Sequence, residues 1–393
     1  MRRKVGIGIA VLVIAALVAF FTVAPGYVER DLNQIDGEPL IAVSQEARDL
    51  HADLQIVDLH SDTPLWKRDM TQRASRGHVD LPRLRDGNVA LQIFSSVTKS
   101  PRGQNYDSNT GETDNITPLV IAQLQPLRTW GSLLERSLWH AHKLDRAVEE
   151  ERDGLFQIHG AEDVDRLLRR RASGRDGVGA MLSIEGLHNL EGDPANLERL
   201  YDAGFRMAGL THFFDNDLAG SMHGTQKGGL TDKGRAVVRR MEEMGMVVDI
   251  AHCSPACVAD IIAIARRPVV SSHGGVQATC GVNRNLSDEQ IRGVAATGGI
   301  IGVGYWPGAV CDTSPRSAAS AMRHIRDLVG IEHVALGSDF DGSVTTRFDT
   351  SELSQVTQAL MDEGFSEDEI RAAMGGNALR LLSAGIEPMG AKP

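Results

Sequence analysis

Eight apolar runs punctuate this 393-residue chain, and helical stretches separate most of them. They cover residues 55–60, 89–94, 179–184, 205–211, 246–251, 268–272, 299–304 and 333–338. Such alternation calls for parallel strands joined by crossover helices. Eight strands predict a closed (β/α)8 barrel, an α/β fold. The helix starts carry recognisable signals. Thr231 opens one; Ser254-Pro255 and Ser314-Pro315 each place a capping residue before a proline. Ser287 with Gln290 fits a capping box. Residues 353–385 predict two C-terminal helices.

Reactive residues of such barrels stand at the C-terminal strand ends. The first run here ends in His60-Ser61-Asp62, and Pro64 then stops the strand. Residues i and i+2 of an extended segment point the same way, so His60 and Asp62 can reach one point. Later runs end in Glu185, His212, His252, His273, Tyr305-Trp306 and Asp339. One histidine or acid at a strand end is ordinarily a hydrogen-bonded structural residue or a helix cap. The set His60, Asp62, Glu185, His252 and His273 is different: three imidazoles and two carboxylates can hold two divalent ions, with Glu185 bridging. Two ions about 3.5–4 Å apart share a water, lower its pKa and polarise a carbonyl. Zinc suits mixed histidine and carboxylate ligands.

The remaining features narrow the setting. Net charge is −11, which excludes the basic footprint of a nucleic-acid binder. Arg2-Arg3-Lys4 precede an uncharged stretch from Val5 to Ala24, about the length that crosses a bilayer. Pro25 follows the one plausible cleavage point, Thr22-Val23-Ala24, and is a poor residue there. Residues 1–24 therefore read as an uncleaved membrane anchor with the basic end cytoplasmic and the catalytic part on the periplasmic or extracytoplasmic side. A cleaved signal with a soluble product is the alternative. Residues 25–52 read as a linker and short helix, and 53–386 as the barrel domain. Residues 97–116 form a polar loop and 117–151 a helix, an insertion large enough to cap one barrel end. Arg169-Arg170-Arg171 reads as a solvated helix end. Four cysteines, at 253, 257, 280 and 311, are too few and too late for a disulfide scaffold and do not fix the redox compartment. Cys253 and Cys257 read as buried, unreactive thiols. Tyr305 and Trp306 fit pocket lining or barrel packing equally, and His188 reads as lying behind the site or in its wall.

The ordered motifs Asp58-Leu59-His60-Ser61-Asp62, Ser183-Ile184-Glu185-Gly186, Leu210-Thr211-His212, Asp249-Ile250-Ala251-His252, Ser272-His273, Asn283-Arg284-Asn285, Gly337-Ser338-Asp339-Phe340-Asp341-Gly342 and Asn377-Ala378-Leu379-Arg380 resemble the membrane (renal) dipeptidases, metal-dependent members of the amidohydrolase superfamily. The resemblance implies two Zn2+ per chain. His60 and Asp62 would hold one, His252 and His273 the other, with Glu185 between them. It implies that His212 contacts substrate and the tetrahedral intermediate, that Arg284 binds the free carboxylate of a dipeptide, and that Asp339 handles protons. A planar guanidinium does match a carboxylate. The insertion at 97–151 and the N-terminal apolar segment depart from the family pattern. Two alternatives stay open: an amidohydrolase acting on N-acyl amino acids or lactam amides, and a non-catalytic, membrane-tethered binding protein. Oligomeric state is open too, a homodimer included.

Overall fold

The computed structural model describes residues 2–386. All eight apolar runs are strands: β1 (Ile56–Ser61), β2 (Val89–Val97), β3 (Val178–Glu185), β4 (Phe205–Gly209), β5 (Val247–Asp249), β6 (Val270–Ser271), β7 (Ile300–Val303) and β8 (Val334–Leu336). Each pairs in parallel with the next, and β8 returns to β1 with Leu336 opposite Asp58. The ring is closed, a (β/α)8 barrel as expected. One residue from every strand (Val57, Leu91, Met181, Met207, Val247, Val270, Ile300 and Ala335) joins a single apolar cluster with Ala378, Leu381 and Leu382 of the C-terminal helix Asn377–Gly385. That helix lies against the start of the barrel, and Asn377 donates to the Ile331 and Val334 carbonyls at 2.7 and 2.9 Å.

The capping signals act as the sequence indicates. Thr231, Ser254 and Ser287 accept from the backbone N–H three residues on, at 3.0, 3.0 and 3.3 Å. Ser287 and Gln290 complete the capping box, and Pro255–Ile264, Asp288–Ala296 and Pro315–Val329 are helical.

Several segments differ from expectation. The insertion is three helices, Ile116–Ala122, Arg128–Gly131 and Leu133–Glu150, rather than one. Leu124 takes a left-handed conformation, Pro126 cannot extend a helix, and Ser132 starts the last helix by accepting from Glu135 N. A short strand, Leu155–Gln157, unforeseen in the sequence, pairs with the start of β3. The C-terminal region holds three helical pieces, with a π turn at Ala372–Gly376 between the second and third. The span 25–52, read as a linker and one short helix, holds two helices: Ala24–Leu32, which follows the apolar helix Arg2–Thr22, and Gln45–Ala52. Arg171 is no solvated end: it donates to Gln55 Oε1, Asn88 Oδ1 and the Gly177 carbonyl, tying three strand-entry loops together. Cys280 and Cys311 form a disulfide, whereas Cys253 and Cys257 are buried free thiols.

Candidate metal centre

The strand ends bring the predicted residues to one place. Glu185, the last residue of β3, lies among four imidazoles. Its Oε1 faces His252 Nε2 at 2.7 Å and His273 Nε2 at 3.2 Å. Its Oε2 faces His212 Nε2 at 3.6 Å and His60 Nε2 at 3.8 Å. His60 Nε2 is also 3.4 Å from Asp62 Oδ1 and 3.9 Å from Asp339 Oδ1. Three overlapping groups could each hold a metal ion: His60, Glu185 and His273; Glu185, His212 and His252; and His60, Asp62 and Asp339. Glu185 and His60 each belong to two of them, and Glu185 is the only carboxylate that does. All of these side chains are nearly or fully buried.

Behind the centre, two buried aspartates repeat one arrangement. Asp249, at the end of β5, accepts from Ser272 N at 2.9 Å and Ser272 Oγ at 2.5 Å. Asp58, in β1, accepts from Ser338 N at 2.8 Å and Ser338 Oγ at 2.5 Å. Each serine directly precedes a site residue, His273 or Asp339. The first tie also sets a tautomer. Ser272 gives its one proton to Asp249, so its Oγ accepts from His273 Nδ1, 2.8 Å away. That leaves the His273 Nε2 lone pair pointing at Glu185 Oε1. A backbone carbonyl acts likewise on His212, whose Nδ1 lies 3.3 Å from Lys99 O. Buried histidines oriented this way from behind are characteristic of metal sites. His252 and Asp339 both sit at positive φ, 62° and 58°, a costly conformation for non-glycine residues that concentrates at functional sites.

The donor set fits a cation. Among the described residues, His60 Nδ1 and Nε2, Asp62 Oδ1 and His252 Nδ1 are buried without a hydrogen-bond partner. Polar atoms buried this way are expensive unless something binds them. Burial opposes charge on His60, but Glu185, Asp62 and Asp339 outweigh it and raise the imidazole to about 10. Burial, aided by Glu185, lifts the Asp62 carboxyl to about 7. It also holds Asp339 well above the usual range, even against His60. Burial would raise Glu185, but His212, His60 and His252 keep it ionised well below that range. For His252 and His273, burial and then nearby cationic groups favour the neutral, ligating form. A metal ion at His60 needs the neutral imidazole, so binding there would be coupled to loss of a proton.

A cavity of about 540 Å3 opens over these residues. Arg284 borders it, with Nη2 3.4 Å from His252 Nε2 and 3.0 Å from the His273 carbonyl. Its guanidinium also lies 5.7 Å from the Trp306 ring. The insertion contributes Tyr106, whose hydroxyl accepts from Trp306 Nε1 at 3.0 Å. Tyr305 and Trp306 have separate fates: Trp306 lines the cavity, while Tyr305 packs on Phe340 and Phe348 in the core. His188 lies outside the cavity lining, its Nε2 3.0 Å from Thr98 Oγ1. Sequence reasoning missed His223. It is fully buried, stacks on Phe213, and its ring centre lies 5.3 Å from that of His252. It follows no apolar run, so strand-end logic had no means of finding it.

The sequence profile described as membrane dipeptidase (peptidase family M19) matches residues 44–388. The chain belongs to the membrane dipeptidase family. Its curated relatives include the dipeptidase aclJ of Aspergillus oryzae, 31% identical over 348 residues that cover 83% of this chain and 77% of the relative. The dipeptidase verJ of Clonostachys rogersoniana is 28% identical, covering 86% of each chain. Among solved structures, the probable dipeptidase PvdM from Pseudomonas aeruginosa superposes with a TM-score of 0.71 at 20% identity, over 87% of this chain and 98% of that one. A metallo peptidase from Rhodobacter sphaeroides, liganded with a phosphinate mimic of the dipeptide L-Ala-D-Ala, gives 0.67 at 20% identity, over 84% and 99%. As a member of the membrane dipeptidase family, this chain is a metal-dependent hydrolase, a metallo-dipeptidase.

Proposed function

We propose that the chain is a dinuclear zinc dipeptidase. The observation that carries this is the division of Glu185: one oxygen faces His252 and His273, the other faces His60 and His212. In this reading His60 and Asp62 hold one zinc, His252 and His273 the second, and Glu185 joins them. Two such ions would activate a water and polarise the scissile carbonyl. Asp339, whose proton affinity burial has raised, takes the water's proton and returns one to the departing amine. His212 offers Nε2 to the oxygen on which charge develops. Arg284 pairs with the substrate's free carboxylate one residue beyond the scissile amide.

Arg284 is 3% exposed. A longer or amidated peptide would leave it poorly paired, a cost on the order of 2–5 kcal/mol. Free dipeptides should therefore exceed C-terminally amidated ones by at least about tenfold in kcat/KM. Arg284→Ala should erase much of that preference while keeping close to two metals per chain. Equal turnover of amidated dipeptides would remove Arg284 from carboxylate reading and favour a broader amide hydrolase.

We also propose that the N-terminal helix is an uncleaved anchor holding the barrel outside the inner membrane. Lys4–Thr22 is long and apolar enough to cross a bilayer, and none of it is buried against the protein. The Cys280–Cys311 disulfide suits an oxidising compartment. A mature N-terminus near Pro25, found by mass spectrometry of membrane-extracted protein, would overturn the anchor.

A further inference from the structure

The cavity over the metal centre is lined by apolar side chains as well as by the polar ones described above. The apolar lining includes Val28, Leu32, Leu65, Trp66, Ile116 and Leu119. Val28 and Leu32 belong to the helix Ala24–Leu32, which precedes the segment matched by the family profile, residues 44–388. This part of the wall therefore comes from outside the segment that the family profile matches.

The helix is firmly held. Glu29 is 1% exposed, with Oε1 2.7 Å from Arg68 Nε and Oε2 2.6 Å from Arg76 Nε. Arg68 continues to Asp341, which also accepts from His78 N and Thr63 Oγ1, both at 2.7 Å. Asn33 Oδ1 accepts from Ser343 N at 2.9 Å. A buried carboxylate persists only when paired in this way. Val28 packs on the cluster of Leu65, Trp66, Val97, Ile116 and Val120.

These contacts also place the helix relative to the centre. The helix grips the loop that follows Asp339, on the His60, Asp62 and Asp339 side of the centre. Arg284 stands on the opposite side, against His252 and Trp306. A dipeptide whose carboxylate were on Arg284 would have its amino-terminal residue free to reach the helix across the centre. We propose that the helix Ala24–Leu32 is a specificity wall that receives an apolar side chain from the amino-terminal residue of the substrate. This rests on the dipeptidase reading above and on Arg284 as the carboxylate partner.

The test uses the full-length chain in detergent, with metal content measured beside the kinetics of Leu-Gly and Gly-Leu. Leu32 is 41% exposed, so Leu32→Asp is compatible with folding. It should lower the ratio of kcat/KM for Leu-Gly over Gly-Leu by at least about fivefold, acting through KM for Leu-Gly. Val28→Ser and Leu32→Ala should move the ratio the same way by less, and they decide the matter if Leu32→Asp loses its metals. A ratio that moves by less than about twofold in metal-loaded variants, or a larger loss for Gly-Leu, overturns the wall. If the unsubstituted enzyme hydrolyses neither dipeptide, the dipeptidase reading itself fails and the wall falls with it.

Discussion

The two ends of the barrel treat buried polar groups in opposite ways. At the strand starts the buried His51 and the half-buried Asn88 are satisfied. His51 lies 2.8 Å from Thr357 Oγ1 through Nδ1 and 3.2 Å from the Gly87 carbonyl through Nε2. Asn88 donates to the carbonyls of His51, Ala52 and Leu54. At the strand ends, equally buried atoms of His60, Asp62 and His252 have no hydrogen-bond partner, and two residues sit in the left-handed region. One chain thus spends polar residues on rigidity at the floor and withholds satisfaction at the mouth. Burial alone does not mark a functional site; several buried ligand-type atoms with unmet bonding capacity converging on one place do.

Removing the hub of the mouth should produce the largest effect. Glu185→Ala takes away the one carboxylate shared by two of the candidate metal groups. We expect metal content to fall below one ion per chain and kcat/KM to drop by about 10³-fold or more, about 4 kcal/mol of barrier. Circular dichroism should stay barrel-like, because the floor network is untouched. Full metal occupancy in this variant would show that the four imidazoles do not depend on Glu185.

The barrel was legible in the sequence because its strands fall on apolar runs that recur along the chain, and the mouth because its polar residues sit at the ends of those runs. His60, Asp62, Glu185, His212, His252, His273 and Asp339 were all reachable in this way. The floor was less legible. Arg171 looks like one member of a charged helix end, and only the docking of three loops around it turns it inward. Pairing of Cys280 with Cys311 depends on two loops meeting, after β6 and after β7, which no local pattern encodes. His223 and Tyr106 lie in loops whose course is set by tertiary contacts. The helix Ala24–Leu32 contains a proline, a glycine and few apolar residues, so its fixing by a buried glutamate was invisible from periodicity.

A second prediction sharpens the contrast from the floor. Burial pushes His51 down to about 4, with the Gly87 carbonyl pulling partly back. The unfolded chain takes up this proton near pH 6.5, whereas the folded protein resists until about pH 4. The stabilisation is therefore complete above pH 6.5, declines as pH falls from 6.5 to 4, and declines no further below that. The full span is about 3 kcal/mol at most. Denaturation midpoints of chelator-treated protein should fall over this window more steeply than those of His51→Gln. Parallel pH profiles for the two proteins would remove His51 from the floor's acid sensitivity. Metal content at pH 7 should be the same in both.

The smallest effect tests how the mouth is held from behind. Asp249 and Asp58 are arranged alike, yet only Asp249 governs an imidazole. In Asp249→Asn the amide oxygen can keep the backbone N–H groups of Ala251 and Ser272, which Asp249 Oδ1 now accepts at 3.0 and 2.9 Å. The amide nitrogen then replaces Oδ2 and donates to Ser272 Oγ. The serine must turn its own proton towards His273 Nδ1, which leaves the ring's remaining proton on Nε2, aimed at Glu185 and at any ion beside it. Disturbing such outer partners typically weakens metal affinity by about 10–100-fold. Asp58→Asn disturbs Ser338 in the same manner, but the next residue is Asp339, which has no tautomer to reverse. Competition with a chelator should therefore show a clearly larger loss of affinity for Asp249→Asn than for Asp58→Asn. Equal losses would mean that the aspartates only brace the strand ends. Loss confined to Asp249→Asn would mean that the mouth depends on a proton's position as well as on the fold that presents it.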